Sequence, residues 1–146
     1  MTAPQRATLE NLLEHHASLV TETQQSIEYA PGVMDPHVGR HGGCVGGDEQ
    51  FHHLCKKFGW RVEVLPGPTI EGKICYADAD YIYPPAPHMQ RNKSLVAFAH
   101  WMYAAPYERE PQEHGGTWKT IGFARKAKRP LTIVYHDGNF TTENTP

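Results

Sequence analysis

Stretches of helical periodicity in this chain alternate with short, almost wholly apolar runs, and this alternation restricts the possible folds more than any other feature. Leu9, Leu12, Leu13, His16 and Val20 fall on one side of a helix expected over residues 3–18, with Thr2 as its cap and Pro4 in its first turn. Asp48 caps a second helix, in which Phe51, Leu54, Cys55 and Phe58 sit at i, i+3, i+4 and i+7 before Gly59 ends it. Further helices are expected over 89–99 and 117–127. Between the helices, residues 60–65, 101–105 and 131–135 are apolar runs too short for helices and read as strands, and 26–30 is a β-like segment. Strands separated by helices pair in parallel through crossovers, so the expected fold class is α/β, a parallel sheet flanked by helices on both faces.

In such a sheet, ligands bind beyond the carboxyl ends of the strands, where loops lead into helix N-termini. Three loops fit that position: residues 41–48, the connector that enters Arg91, and residues 113–117. The connector, 66–88, is rich in proline and tyrosine and longer than a structural link needs, which is common for functional loops. A Gly- and His-rich loop is expected from Pro31 through Gly47, and a polar tail over 139–146.

The chain of 146 residues suits one domain, with 39% hydrophobic and 21% charged residues. Its formal net charge of -2 gives no electrostatic case for nonspecific attraction to nucleic acid or to an anionic membrane. No apolar run approaches the roughly 20 residues needed to span a bilayer, and the N-terminus is polar and amphipathic instead of signal-like, so a cytoplasmic location is expected. Cys44, Cys55 and Cys75 are odd in number and form no CxxC, which points to reduced thiols.

The loop His114-Gly115-Gly116-Thr117-Trp118-Lys119-Thr120 has the chemistry of a phosphate cradle. Two glycines let the backbone approach an anion, Thr117 offers a cap and a hydroxyl, and the following helix aims its partly positive end at the loop. Taken alone, the same residues also describe an ordinary capped turn. Gly42, Gly43, Gly46 and Gly47 around Cys44 run into the helix at Asp48, where an anion or ribose contact is expected. Arg91 can give a phosphate bidentate charge-assisted hydrogen bonds, with Asn92 beside it. Trp101, Trp118, Tyr76, Tyr81 and Tyr83 could stack on a base, although aromatic residues more often belong to a core. His37-x3-His41-x2-Cys44 has a ligand-like spacing, but its glycines suit a phosphate loop better than a rigid tetrahedral site, so no metal is expected. His52-His53 reads as one core and one surface histidine.

Taken in order, His41-Gly42-Gly43-Cys44-Val45-Gly46-Gly47-Asp48, Arg91-Asn92-Lys93-Ser94-Leu95-Val96, Ala104-Ala105-Pro106, and Gly115-Gly116-Thr117-Trp118-Lys119-Thr120 with Arg125 resemble the motifs of the SLOG superfamily, Rossmann-like domains related to the DprA and LOG proteins. The resemblance spans nearly the whole chain. It implies a Rossmann-like sheet and a ligand site made by His41, Gly42, Gly43, Cys44, Gly46, Asp48, Arg91, Asn92, Gly115, Gly116, Thr117, Trp118 and Thr120. Such relatives usually open with a strand ending in Gly-x-Arg ahead of a segment like Met1-Thr2-Ala3-Pro4-Gln5. The usual first strand is therefore expected upstream of Met1, or replaced by residues 23–30, or supplied by a partner chain. Residues 31–40 resemble an insertion placed to cover a ligand.

LOG-type phosphoribohydrolases carry Pro-Gly-Gly-x-Gly-Thr-x-x-Glu, whose glutamate serves catalysis. The matching position here is Thr120, which can neither act as a carboxylate base nor stabilise an oxocarbenium-like centre. The resemblance therefore implies non-catalytic binding of a nucleotide or nucleotide-derived signal, ADP-ribose-like or cyclic, by a homo-oligomer with no resident cofactor. A small stand-alone domain of this kind suits a sequestering sponge of phage type in a host cytoplasm. An N-glycosidase or nucleoside 5'-monophosphate phosphoribohydrolase is the alternative. A DprA-like nucleic-acid module is disfavoured by net charge, despite the basic stripe at 125–129.

Overall fold

The computed structural model of the protein describes residues 1–25, 37–44, 47–68, 78–113 and 115–145. In chain order these form α1 (Ala3–Gln25), β1 (Val38–His41), α2 (Gly47–Lys57), β2 (Arg61–Val64), β3 (Tyr81–Ile82), α3 (His88–Phe98), β4 (Met102–Ala104), α4 (Gly116–Lys126), β5 (Leu131–Val134) and β6 (Phe140–Glu143). The result is a mixed α/β protein with two three-stranded sheets, ordered β1-β2-β3 and β4-β5-β6. The first sheet is wholly parallel, with Val38 opposite Arg61 and Glu63 opposite Tyr81. The second joins β4 to β5 in parallel and β5 to β6 antiparallel. No helix among the described residues is long and apolar enough to cross a membrane.

Four elements depart from the expectations, one of them β3, a two-residue strand that pairs with β2 inside the stretch 66–88 expected as a connector. β1 lies inside the stretch expected as a Gly-rich loop: Val-Gly-Arg-His has too little apolar character to announce a strand, and its order comes from pairing with β2. The tail expected to be irregular turns back as β6. Asp137 accepts the Asn139 N–H at 3.0 Å, Gly138 takes a left-handed φ of 89°, and Phe140 to Glu143 then pair with β5. That return makes the second sheet mixed where a parallel one was expected. α1 runs on to Gln25, beyond the expected end at 18, because no glycine or proline interrupts it. The β-like segment expected at 26–30 and the 31–36 part of the expected insertion lie outside the described residues.

Two apolar cores hold the helices to the sheets. Leu9 and Leu13 of α1 meet Leu54 and Cys55 of α2, with Trp60 and Val62 beneath them, and Tyr103 of β4 packs against this cluster. Val96 of α3 and Trp118, Ile121 and Ala124 of α4 pack with Leu131 and Ile133 of β5. Each fully buried leucine or isoleucine contributes about 1.5–3 kcal/mol relative to leaving it in water. The start of α1 is fixed by Gln5, which is 1% exposed. Its Nε2 donates to the carbonyls of Pro106 at 2.9 Å and Val134 at 3.0 Å, and its Oε1 accepts the Thr2 N–H at 2.9 Å. The N-terminus of α1 is thereby tied to the carboxyl ends of β4 and β5.

Candidate functional site

A cavity of about 640 Å³ opens between β1 and β4, and its walls include residues of all four helices. Its polar part lies where β1 ends and where α2, α3 and α4 begin. Arg91, in the first turn of α3, is buried there at 7% exposure. Its Nη1 donates to the carbonyls of Gly42 at 3.0 Å and Leu65 at 3.2 Å, and its Nε donates to Asn92 Oδ1 at 2.7 Å. The remaining nitrogen, Nη2, has only a long 3.4 Å approach to His88 Nδ1. Among the described residues no carboxylate forms an ion pair with this guanidinium. Its hydrogen-bond partners are neutral, and the Asp48 carboxylate, which also faces Gly42, stands near without pairing with it, so an anion brought to the guanidinium would offset the remaining cost of its burial.

The chain after β1 is shaped around Arg91. A Cβ at Gly42 would come within 2.3 Å of Nη1, so only glycine lets the guanidinium lie against the backbone. Gly43 follows with a left-handed φ of 72°. Its N–H donates to Nδ1 of His41 at 2.9 Å, so the His41 proton sits on Nε2, which donates to Nδ1 of His52 at 2.9 Å. His52 in turn donates from Nε2 to Asp78 at 2.7 Å. A hydrogen-bonded chain thus runs from the glycine loop through two buried imidazoles to an exposed carboxylate.

Burial pushes the His41 pKa down to about 4; the Asp48 carboxylate opposes the shift, while His52 and Arg91 add to it. Slight burial raises the Asp78 carboxyl, but the His52 N–H and Lys56 hold it below its ordinary value. Asp48 accepts the Cys44 N–H at 3.1 Å and so closes the loop at the start of α2.

At the other wall, α4 begins without a side-chain cap at Gly115 and without an acidic residue in its first turn. Its first N–H groups are therefore open to an anion. Gly116, Thr117 and Thr120 line the cavity; the Thr120 hydroxyl donates back to the Gly116 carbonyl at 2.9 Å. Comparison with protein-family models, curated proteins and solved structures finds no match for the chain.

Of the residues expected at the site, His41, Gly42, Cys44, Asp48, Arg91, Asn92, Gly116, Thr117 and Thr120 all border this one cavity. Gly43 stands behind the loop, turned to His41, and Gly115 supports the start of α4. Trp118 is placed differently: its ring belongs to the second core, and its indole N–H donates to the Glu108 carbonyl at 3.2 Å. An aromatic residue at the third position of an amphipathic helix goes to the core before it goes to a ligand. Gly46 lies outside the described residues. His52 is buried and His53 exposed.

Sequence reasoning missed the His41–His52–Asp78 chain and the ion cluster in which Glu63 accepts from Arg40 at 2.8 Å, Arg61 at 3.1 Å and Tyr83 at 3.0 Å. The alternation Arg61-Val62-Glu63-Val64 was its one available signal, placing both charged groups on a single face of β2.

Proposed function

We propose that the protein binds a phosphate-bearing nucleotide or nucleotide-derived signal, ADP-ribose-like or cyclic, at the polar end of the cavity. Arg91 carries this reading. It is a buried guanidinium without a carboxylate partner among the described residues, set between the Gly42 loop and the uncapped start of α4. Phosphate oxygens supply the charge and the acceptors that such a group lacks. The Gly116-Thr117 backbone offers further donors, and Asn92 steadies Arg91 through its Nε. The Rossmann-like, SLOG-related character inferred from the sequence motifs agrees with this placement, and holding the ligand without cleaving it makes the domain a sequestering module.

Native mass spectrometry of the purified protein reports a retained ligand and the oligomeric state together. Calorimetric titration with ADP-ribose and with nucleoside monophosphates then measures affinity. Arg91→Ala weakens binding by about 1.5–3 kcal/mol, roughly ten- to 150-fold. Unchanged affinity removes Arg91, and with it the proposed site. Chromatography after incubation shows the nucleotide intact on this reading, whereas released base establishes an N-glycosidase.

A further inference from the structure

One peptide unit serves both sides of the glycine loop. The carbonyl of Gly42 accepts from Nη1 of Arg91 at 3.0 Å, and the N–H of the same peptide, at Gly43, donates to Nδ1 of His41 at 2.9 Å. The peptide is therefore held on one side by the buried guanidinium and on the other by the imidazole chain.

That chain runs in a single direction. Gly43 N–H donates to His41, His41 Nε2–H donates to His52 at 2.9 Å, and His52 Nε2–H donates to Asp78 at 2.7 Å, so both Nδ1 atoms are occupied acceptors. A proton added to His41 Nδ1 faces the Gly43 N–H. One added to His52 Nδ1 faces the His41 Nε2–H, and His41 relieves that conflict only by carrying its own proton on Nδ1, again against Gly43. In either case two donors meet across 2.9 Å, and the Gly43 N–H must turn away.

The glycine pair permits the turn. Rotating the peptide takes Gly43 from its left-handed φ of 72° to a negative φ, and neither residue has a Cβ to obstruct it. The Gly42 carbonyl then meets the new His41 proton and leaves Arg91 Nη1, while the Gly43 N–H comes round to the side of Arg91. The charges about His41 set when this happens. Asp48 of α2 favours a cationic ring, His52 of α2 and Arg91 of α3 oppose it, and β2 places the apolar Val64 opposite. Around His52 stand Asp78, with Lys56 near it, and His53, which approaches Glu49 at 3.9 Å. An anion on Arg91 cancels the opposition from that guanidinium. The exposed Asp78 carboxylate gives a proton from water a route into the chain.

We infer that the Gly42–Gly43 peptide is a proton-coupled switch: phosphate binding at Arg91 draws a proton onto the His41–His52 pair and rotates this peptide, which frees Nη1 from a carbonyl and adds the Gly43 N–H as a donor to the anion. The inference rests on the binding proposed above and assigns that site its regulation, with affinity rising as the medium becomes more acidic.

ADP-ribose is the probe, because its diphosphate diester lacks the second ionisation that a phosphate monoester undergoes near about pH 6. Calorimetric titration in two buffers of different ionisation enthalpy should show uptake of about one proton per ligand, with affinity rising up to about tenfold per unit as the pH falls from about 7 to about 5. His41→Gln removes the uptake and flattens the profile, whatever its effect on affinity. Binding without proton uptake, an affinity independent of pH, or undiminished uptake in His41→Gln overturns the inference and leaves the nucleotide reading standing.

NMR of the free protein tests the switch without a ligand: on acidification the Gly43 amide and the His41 ring should titrate with one midpoint. A Gly43 amide that keeps its shift while the ring titrates overturns the switch whether or not ADP-ribose binds. Absence of ADP-ribose binding at every pH refutes the nucleotide reading, and the coupling falls with it.

Discussion

Substituting Gly42 with alanine tests the contact on which the site is built. The added methyl would lie 2.3 Å from Nη1 and 2.8 Å from Cζ of Arg91, with Asp48 Oδ2 at 3.2 Å, whereas ordinary contact begins at 3.4 Å. The guanidinium must retreat by about 1 Å, which carries Nη1 out of range of the Gly42 and Leu65 carbonyls that it now meets at 3.0 and 3.2 Å. Two hydrogen bonds to a charged donor, at about 1.5 kcal/mol each, put the loss near 3 kcal/mol. In a chain of this length that lowers the melting temperature by about 6–12 °C.

Scanning calorimetry or urea unfolding measures the loss, and calorimetric titration with ADP-ribose should show affinity falling as it does for Arg91→Ala. The decisive control repeats Gly42→Ala in an Arg91→Ala background, where only the 3.2 Å approach to Asp48 Oδ2 remains and the added cost is below about 1 kcal/mol. Equal cost in both backgrounds, or a wild-type melting temperature for the single variant, refutes the packing of Arg91 on Gly42.

Three further outcomes are expected. The folded-state pKa of His41, about 4, lies below its ordinary value of 6.5, so its contribution to stability is complete above pH 6.5 and is lost as the pH falls toward 4. The loss approaches about 1.4 kcal/mol per pH unit and totals on the order of 3 kcal/mol. Urea unfolding from pH 7 to 4 should be flatter for His41→Gln, and equal slopes would dismiss His41 as the source. Gln5→Ala leaves the Pro106 and Val134 carbonyls buried without their donor, and costs about 2–4 kcal/mol in urea unfolding; a cost under about 0.5 kcal/mol would show that α1 is not anchored there. Trp118→Phe lowers stability by about 1–2 kcal/mol through lost packing and the lost indole hydrogen bond, with ADP-ribose affinity unchanged; weakened binding would return Trp118 to the ligand site.

Helical periodicity was legible wherever an apolar stripe met a core, as with Leu54 and Cys55 of α2 or Ile121 and Ala124 of α4. β5 was legible because burial on both faces demands a nearly continuous apolar run, and β2 because Val62 and Val64 alternate with Arg61 and Glu63 between Trp60 and Leu65. β1 escaped notice because a four-residue strand containing a glycine and an arginine owes its order to its neighbour and not to its own propensity. β6 escaped because an exposed edge strand, with Phe140 at 50% exposure, has the composition of a tail. At the site, the glycine loops announced where the backbone comes close, but not which side chain approaches it. That Gly42 makes room for Arg91, 49 positions away, depends on a tertiary contact that no local pattern encodes.

Among the described residues, the charged groups that line the cavity bear on whether a nucleotide is held or cut. Glycosidic cleavage generally engages two carboxyl groups flanking the scissile bond, one to protonate the leaving group and one to act as base or nucleophile. Asp48 is the acidic residue among the described residues lining the cavity, and its Oδ2 accepts the Cys44 N–H. Thr120, which lines the cavity, spends its hydroxyl proton on the carbonyl of Gly116. Glu108, Glu110 and Glu113 are exposed on the loop before α4, outside the cavity lining. What converges on the cavity instead is a cation, an uncapped helix start and a glycine turn, groups that stabilise negative charge already present on a ligand. Such a set lowers the energy of a bound phosphate, and on the proposed binding reading the ligand is recovered intact.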